Sequence, residues 1–483
     1  MTKKNENQEV MEIRQTQKEE RSNVMNQEKE HLGEDKKKEQ KNINDKKLPV
    51  KGTSAKMPQY IESLNFPELV DAALGAEGNV IYLIKNQNKL SIDRKWITKD
   101  GILVPPAKKN IPFELVEAPD VIYYYLTKMN DDFTLFERVS NYLQKASYLE
   151  DEQNLILSLY TFATYIQNHE GIRHLPEMLF CAVPERGKSR TGKAITYISF
   201  RGIHTMSVLP ASIFRFSENC QATLFLDVMD FWNKVLKKGS DDIFLGRFEK
   251  GAKVSRVMFP DRGAFRDTVT YNVFGPTIIA SNQAIGNILG TRCMEIQTPY
   301  MPGEYVDYKP KDKVVMDLKA RLTAWKAKVM DQPLPSVSKI KGIDGRFWDI
   351  SKPLLSICKL VCPERYEDLV NALLNQARLK AEDKKETVEG KIVNIIYRLS
   401  ANSSERYIMT VSVLERLNEG LSERKQFSSQ WLGRKLKALG IKTDTSTGRS
   451  RMEIEQPILG KLYNQYECSK SSCLISDGVD MDD

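Results

Sequence analysis

The sequence predicts an α/β fold, a parallel sheet covered by helices with a phosphate-binding loop at one strand end. Three observations point there. A short apolar run, Met178 to Val183, breaks at Pro184 into a polar loop holding Gly187-Lys188-Ser189, and a helical stretch follows. Strand-like and helix-like segments alternate from 175 to 300, a pattern that implies parallel strands joined by crossover helices. Polar residues close several of those strands, and open α/β sheets bind their ligands beyond the carboxyl ends of the strands.

The first strand leads into Leu179 to Lys193, LFCAVPERGKSRTGK. A strand, a glycine-bearing loop and a helix N-terminus form an anion cradle, because loop N–H groups and the helix dipole face the same point. Lys188 adds a point charge and Ser189 a hydroxyl for Mg²⁺; Arg190 belongs to the same nucleotide-binding set. The motif GxxxxGK[ST] fits in two registers. Ala182 to Ser189 lacks the first glycine but keeps Lys and Ser; Gly187 to Ala194 has both glycines, with Lys193, but lacks the hydroxyl. The first is preferred because its loop starts where the apolar strand ends, which leaves Gly192 and Lys193 inside the helix. An ordinary basic turn before a helix is the competing reading.

The remaining elements follow in order. A helix is expected from Arg190 to Ser199, a second strand at His204 to Val208, and a helix at Pro210 to Glu218. A third strand, Ala222 to Asp227, is apolar and ends in an acid. Asp227 lies about forty residues after Lys188, the place for a carboxylate that holds Mg²⁺. The stretch Phe231 to Gly263 reads as mixed and loop-rich. A fourth strand, Pro276 to Ala280, ends in Ser281-Asn282, where the Asn282 amide can orient an attacking water; an ordinary helix cap is the alternative. A short helix at Asn287 to Thr291 and a fifth strand, Cys293 to Gln297, complete the core. Arg292, just before that strand, is placed to reach a neighbour's phosphate in a ring or filament, or else sits at a helix C-terminus for the dipole. Val228 stands where a catalytic Glu commonly follows the metal-binding Asp, and Asp230 is the candidate base.

Composition sets the outer limits. A chain of 483 residues, 41% hydrophobic, can bury a large core, with a prior of roughly three domains. No stretch has the ~18 apolar residues of a membrane span, and the polar start MTKKNENQEV is no secretory signal, so a cytoplasmic location is expected. The cysteines (181, 220, 293, 358, 362, 468, 473) and histidines (31, 169, 174, 204) are scattered, without the spacing of a zinc site. A net charge of +8 is mild for this length and does not itself argue for nucleic acid.

Flanking segments suggest appended modules. Residues 1–56 alternate charge signs with few apolar anchors, which predicts a disordered tail. Residues 57–117 read as a small antiparallel β module, 118–174 as the helical N-terminal part of the domain that carries the phosphate-binding loop, 175–300 as that domain's core and 301–386 as a helical connector. From 387 to 465 three helices (Val388 to Ser400, Val411 to Leu421, Ser428 to Leu439) and a hairpin resemble a winged helix. Its third helix enters a major groove in that arrangement, and Arg434, Lys435, Lys437, Arg449 and Arg451, with Lys442, supply DNA-contacting charge; protein contact or mere solvation of the helix is the alternative. Residues 466–483 form an acidic tail.

The order Gly-Lys-Ser, Asp227-Val-Met-Asp230, Ser281-Asn282 and Arg292-Cys-Met-Glu-Ile resembles the AAA+ type of P-loop NTPase. Pro184 to Ala194, Lys253 to Arg256 and Tyr271 to Pro276 are similar, over about 120–460, to uncharacterised ATPases of bacterial mobile elements related to primase–helicase proteins. That resemblance implies ATP and Mg²⁺, DNA as a partner, a homo-oligomer and a helicase or helicase-loader type of motor. A nucleotide-dependent DNA-binding regulator or scaffold with little hydrolysis is the alternative, with Val228 its telling feature.

Overall fold

The computed structural model describes residues 59–86, 89–127, 131–181, 187–282, 285, 287–298, 303–401, 405–446, 448–466 and 468. The predicted tail 1–56, Ala182 of the preferred loop register and nearly all of the acidic tail lie outside these residues.

The first strands are β1 (Tyr60–Glu62), β2 (Leu69–Leu74), β3 (Val80–Asn86), β4 (Lys89–Asp93), β5 (Trp96–Ile97) and β6 (Ile102–Val104). They form two three-stranded sheets, β2-β3-β4 and β1-β6-β5. The expected module is therefore not purely antiparallel, because β1 and β6 pair in parallel. Its β2 is buried along its whole length, since both faces are covered. Ala72 and Leu74 join the same apolar cluster as Leu179 and Leu226 of the region expected to be the ATPase core.

Buried cations reinforce that docking. Arg201 binds the Asp71 carboxylate at 2.8 Å and donates to the Leu64 and Cys220 carbonyls. Lys319 and Lys326 donate to the carbonyls of Glu114 and Val70 at 2.6 and 2.5 Å. Buried charge persists only where such partners replace water.

Helices α1 (Ala118–Leu126), α2 (Asp132–Ala146) and α3 (Asp151–Tyr165) come next. Asp131 caps α2 by accepting from the Thr134 amide, and α3 is buried on every side. The sheet that follows consists of β7 (Glu177–Cys181), β8 (Ile203–Thr205), β9 (Leu224–Asp227), β12 (Thr277–Ser281) and β13 (Cys293–Ile296), in the order β13-β7-β12-β9-β8. Every neighbouring pair is parallel. Its crossovers carry α4 (Lys188–Ile198), α5 (Pro210–Cys220), α6 (Phe231–Lys238), α7 (Asp241–Gly246) and the one-turn α8 (Asn287–Gly290).

The stretch read as loop-rich instead holds α6, α7 and one arm of a hairpin, β10 (Lys253–Val257) with β11 (Thr268–Asn272), antiparallel in register. Only Val254 of β10 is fully buried, so no apolar alternation marks it in the sequence. Helices α9 (Lys313–Val329), α10 (Gly345–Val361) and α11 (Tyr366–Glu386) follow.

The chain divides into two compact units, the second beginning at Leu374 within α11. That second unit contains α12 (Val388–Ala401), β14 (Tyr407–Met409), α13 (Thr410–Asn418), α14 (Ser429–Ala438), β15 (Arg451–Glu453) and α15 (Pro457–Gln465) around its own apolar core. The three helices fall where expected. The strand after the third pairs with β14, which precedes α13, and α15 was not foreseen. No helix among the described residues is long and apolar enough to cross a membrane.

Candidate functional site

The parallel register brings distant residues to one edge. Cys181 at the end of β7 stands opposite Ser281, and Asp227 opposite Ala280. Asn282, the next residue after β12, thus emerges between β7 and the acid-bearing β9. Gly187, Lys188, Ser189, Arg190, Asp227 and Asn282 line a single cavity of about 460 Å³, together with Met206, Val228, Met229 and Ala280.

Local geometry explains the loop's end. Gly187 adopts φ +81° as the residue preceding α4, a left-handed conformation open to glycine at little cost. Gly187 offers no side chain to cap α4, and the first residues of that helix, Lys188, Ser189 and Arg190, line the cavity, the place where a helix N-terminus can receive an anion. Lys188 is buried at the first position of the helix. Burial pulls its ammonium below the ordinary range, while the Cys181 thiol and the Asp227 carboxylate oppose that.

Gly192 has a different reason to be glycine. A Cβ there would lie 2.3 Å from the ring of Phe225 in β9, so it lets α4 close onto the sheet. Thr191 donates both its amide and its hydroxyl to the Gly187 carbonyl, placing Thr191, Gly192 and Lys193 within the helix.

The residues fit a nucleoside triphosphate with a hard cation. The N-terminus of α4 and Lys188 suit phosphate oxygens, and the Ser189 hydroxyl and Asp227 carboxylate offer oxygen ligands in the same cavity. No group of three or more His, Cys, Asp or Glu side chains forms a metal cluster among the described residues.

Two expected residues lie elsewhere. Asp230 is not among the lining residues; its carboxylate accepts from the Asn233 amide at 2.7 Å and its backbone is left-handed, φ +55°. The turn after β9 carries it past the cavity. Arg292 lies at the opposite edge of the sheet, where its carbonyl accepts from the Glu177 amide at the start of β7.

The predicted DNA-contacting set is divided. Lys435 pairs with Glu389 at 2.5 Å and Arg451 with Asp444 at 2.9 Å, while Arg434, Lys437, Lys442 and Arg449 are exposed.

Sequence reasoning missed the β10–β11 hairpin. Its tip presents Phe265 fully exposed with φ +68°, and the Arg262 guanidinium lies 3.7 Å over the Phe259 ring. A bulky residue in the left-handed region is a genuine outlier. The signal available in the sequence was the cluster of Phe259, Arg262, Phe265 and Arg266 in an otherwise polar segment.

No family model matches this chain, and no curated protein does. Solved structures are similar to it at low identity. An active helicase, Cch of SCCmec type IV, is 11% identical, with 84% of this chain and 82% of that chain covered at a TM-score of 0.36. The C-terminal region of NrS-1 in its apo form is 11% identical over 79% and 96%, TM-score 0.32. Cdc6p from Pyrobaculum aerophilum is 13% identical over 70% and 97%, TM-score 0.19. The functional reading therefore rests on the chain's own geometry.

Proposed function

We propose that the chain is a P-loop ATPase of the AAA+ type that binds ATP with Mg²⁺ and works on DNA as a helicase or helicase-loader type of motor. The observation that carries this is the convergence of Gly187, Lys188, Ser189, Arg190, Asp227 and Asn282 on one cavity at the carboxyl ends of three adjacent parallel strands. In this reading the α4 amides and Lys188 hold the phosphates, and Ser189 and Asp227 hold the cation. Asn282 orients the attacking water. Bound Mg²⁺ supplies charge neutralisation of the phosphates. The protein works as a homo-oligomer in the cytoplasm.

Two surfaces support DNA as the partner. The aromatic tip at Phe265 and the stacked Arg262–Phe259 pair suit bases of a single strand. Arg434, Lys437 and Arg449 of a winged-helix-like second unit suit duplex phosphates. The test is ATP hydrolysis by purified protein with Mg²⁺, alone and with single-stranded, duplex or forked DNA. Stimulation by DNA is expected, and no turnover under any of these conditions would sink the motor.

One observation favours a second reading, a nucleotide-dependent DNA-binding regulator. Asp227 is the only carboxylate among the cavity-lining residues described, with Val228 in place of a Glu and Asp230 bonded to Asn233. On that reading, tight ATP binding accompanies negligible hydrolysis, which the same assay combined with equilibrium nucleotide binding distinguishes.

A further inference from the structure

Helix α6 is tied closely to the cavity and only lightly to the core. Three residues separate it from Asp227, and two of them, Val228 and Met229, line the cavity. Left-handed residues bound it at both ends, Asp230 at φ +55° and Gly239 at φ +60°. Between them only Phe231 and Val235 are buried. The Phe231 ring meets Phe244 of α7 edge-on, with centres 5.2 Å apart. A two-turn helix set between two sharp turns can pivot on one pair of side chains when the residues before it shift.

Its two flanks differ. Trp232 and Leu236, four apart, share one flank; Trp232 packs on the core and Leu236 is half exposed. Lys234, Lys237 and Lys238 share the other, and all three are exposed. No carboxylate among the described residues pairs with them. Two acids close in sequence are committed elsewhere, Asp230 to the Asn233 amide at 2.7 Å and Asp242 to Arg256 at 3.5 Å. Like charges three and four apart oppose helix formation. The helix dipole compensates Lys237 and Lys238 in the last turn but not Lys234. The fold therefore gains nothing from Lys234, and the basic flank faces outward for an anion.

The helix itself narrows the kind of anion. Phe231, Val235 and Trp232 are spent on the core, so too little apolar face remains to lie in a bilayer. Lys234 to Lys238 span about 6 Å of helix axis, and each strand of a duplex carries a phosphate about every 3.4 Å of its axis. Three ammonium groups so spaced suit consecutive phosphates.

We propose that Lys234, Lys237 and Lys238 of α6 hold the phosphates of a nucleic-acid strand, and that the nucleotide in the cavity sets the strength of this hold through the turn Val228 to Asp230. The assignment rests on the reading of the chain as an ATPase that works on DNA.

A salt titration tests it. Full-length protein is titrated onto a fluorescent oligothymidylate and followed by anisotropy, once with ADP and once with a non-hydrolysable ATP analogue, both with Mg²⁺. The slope of log affinity against log salt is expected to differ between the two nucleotides. Replacing the three lysines together (Lys234→Ala, Lys237→Ala, Lys238→Ala) should lower the steeper slope by about 2, at roughly 0.7 per phosphate of a single strand, and remove the difference. The corresponding triple replacement by Arg should keep both slopes, because the charge stays. The Tm of the alanine variant is expected to match the wild type, since the side chains are exposed. Slopes that the three alanines leave unchanged overturn the assignment, and so does an equal loss with both nucleotides. Tighter wild-type binding to phosphatidylglycerol vesicles than to the oligothymidylate, lost in the alanine variant, gives the lysines to a membrane and overturns it too. A wild type that binds no oligothymidylate removes the DNA reading and this assignment with it, whereas a binding wild type with unaltered slopes in the alanine variant removes the assignment alone.

Discussion

The cavity and the basic face of the second unit were both expected from sequence, and the fold treats them in opposite ways. Six residues spread from Gly187 to Asn282 converge on the cavity. Six basic residues clustered between Arg434 and Arg451 are divided instead, two of them taken by carboxylates of their own unit. Convergence has a simple cause. A parallel sheet places the carboxyl end of every strand on one edge, so a polar residue at a strand end is already assigned to the site. A charge on a helix has no such constraint, and its availability depends on whichever carboxylate folds beside it.

The largest expected effect tests the cavity side. Lys188→Ala should reduce turnover by about 10²- to 10³-fold, the scale for removing one charge-stabilising donor, while Lys193→Ala, inside α4, keeps most of it. Steady-state hydrolysis of both variants checks this, and equal losses would return the loop to its second register. Next is the packing that seats the loop. Gly192→Ala drives a methyl into the Phe225 ring, and overpacking of this kind costs about 1–3 kcal/mol, visible as a lower Tm.

Comparable in size is Phe265→Ala at the hairpin tip. Loss of one stacking platform should weaken single-strand binding by about 1–3 kcal/mol in an anisotropy titration, with Tm unchanged because the ring is fully exposed. The charge comparison itself comes next. Arg434→Ala and Lys437→Ala should each lower the salt slope of duplex binding by about 1, and Lys435→Ala, already paired with Glu389, should leave it nearly unchanged. A Lys435→Ala slope that falls as far as the others would erase the contrast.

A pH-dependent effect concerns Glu177, at the start of β7. Both carboxylate oxygens are buried without a hydrogen-bond partner among the described residues. Burial pushes its pKa from 4.5 to about 8, with Arg247 and Arg292 opposing. The folded chain therefore keeps a proton that the unfolded chain releases above pH 4.5, and this group's share of stability falls as pH rises toward 8. Lys326, whose ammonium burial lowers to about 7, is protonated in both states below that pH and adds no slope there. Glu177→Gln should flatten the fall in Tm between about pH 5 and pH 7, and an unchanged profile would deny Glu177 its buried proton.

Much of the core was legible because its signals are local. The apolar runs ending in Cys181, Asp227 and Asn282, and the glycine before α4, need only neighbouring residues to be read. The β10–β11 hairpin was not, since its strands are largely solvated and carry little apolar alternation. Pairing of β1 with β6 joins residues some forty positions apart (Tyr60 with Ile102), which no turn motif announces. Asp230 was expected in the cavity from its spacing, and a left-handed turn takes it elsewhere.

The chain's own order of residues dictated the strand, loop and helix at one cavity, the acid and amide that line it with them, and the helical pattern of the second unit. These follow from backbone preference and apolar periodicity over a few residues. Tertiary structure alone decided which charges stay available and which are taken by partners within the fold. Lys435 meets Glu389 across 46 residues, and Arg346 meets Thr291 across 55. Partners so far apart in sequence are chosen by packing, and the field of a charge is set by what packing places against it.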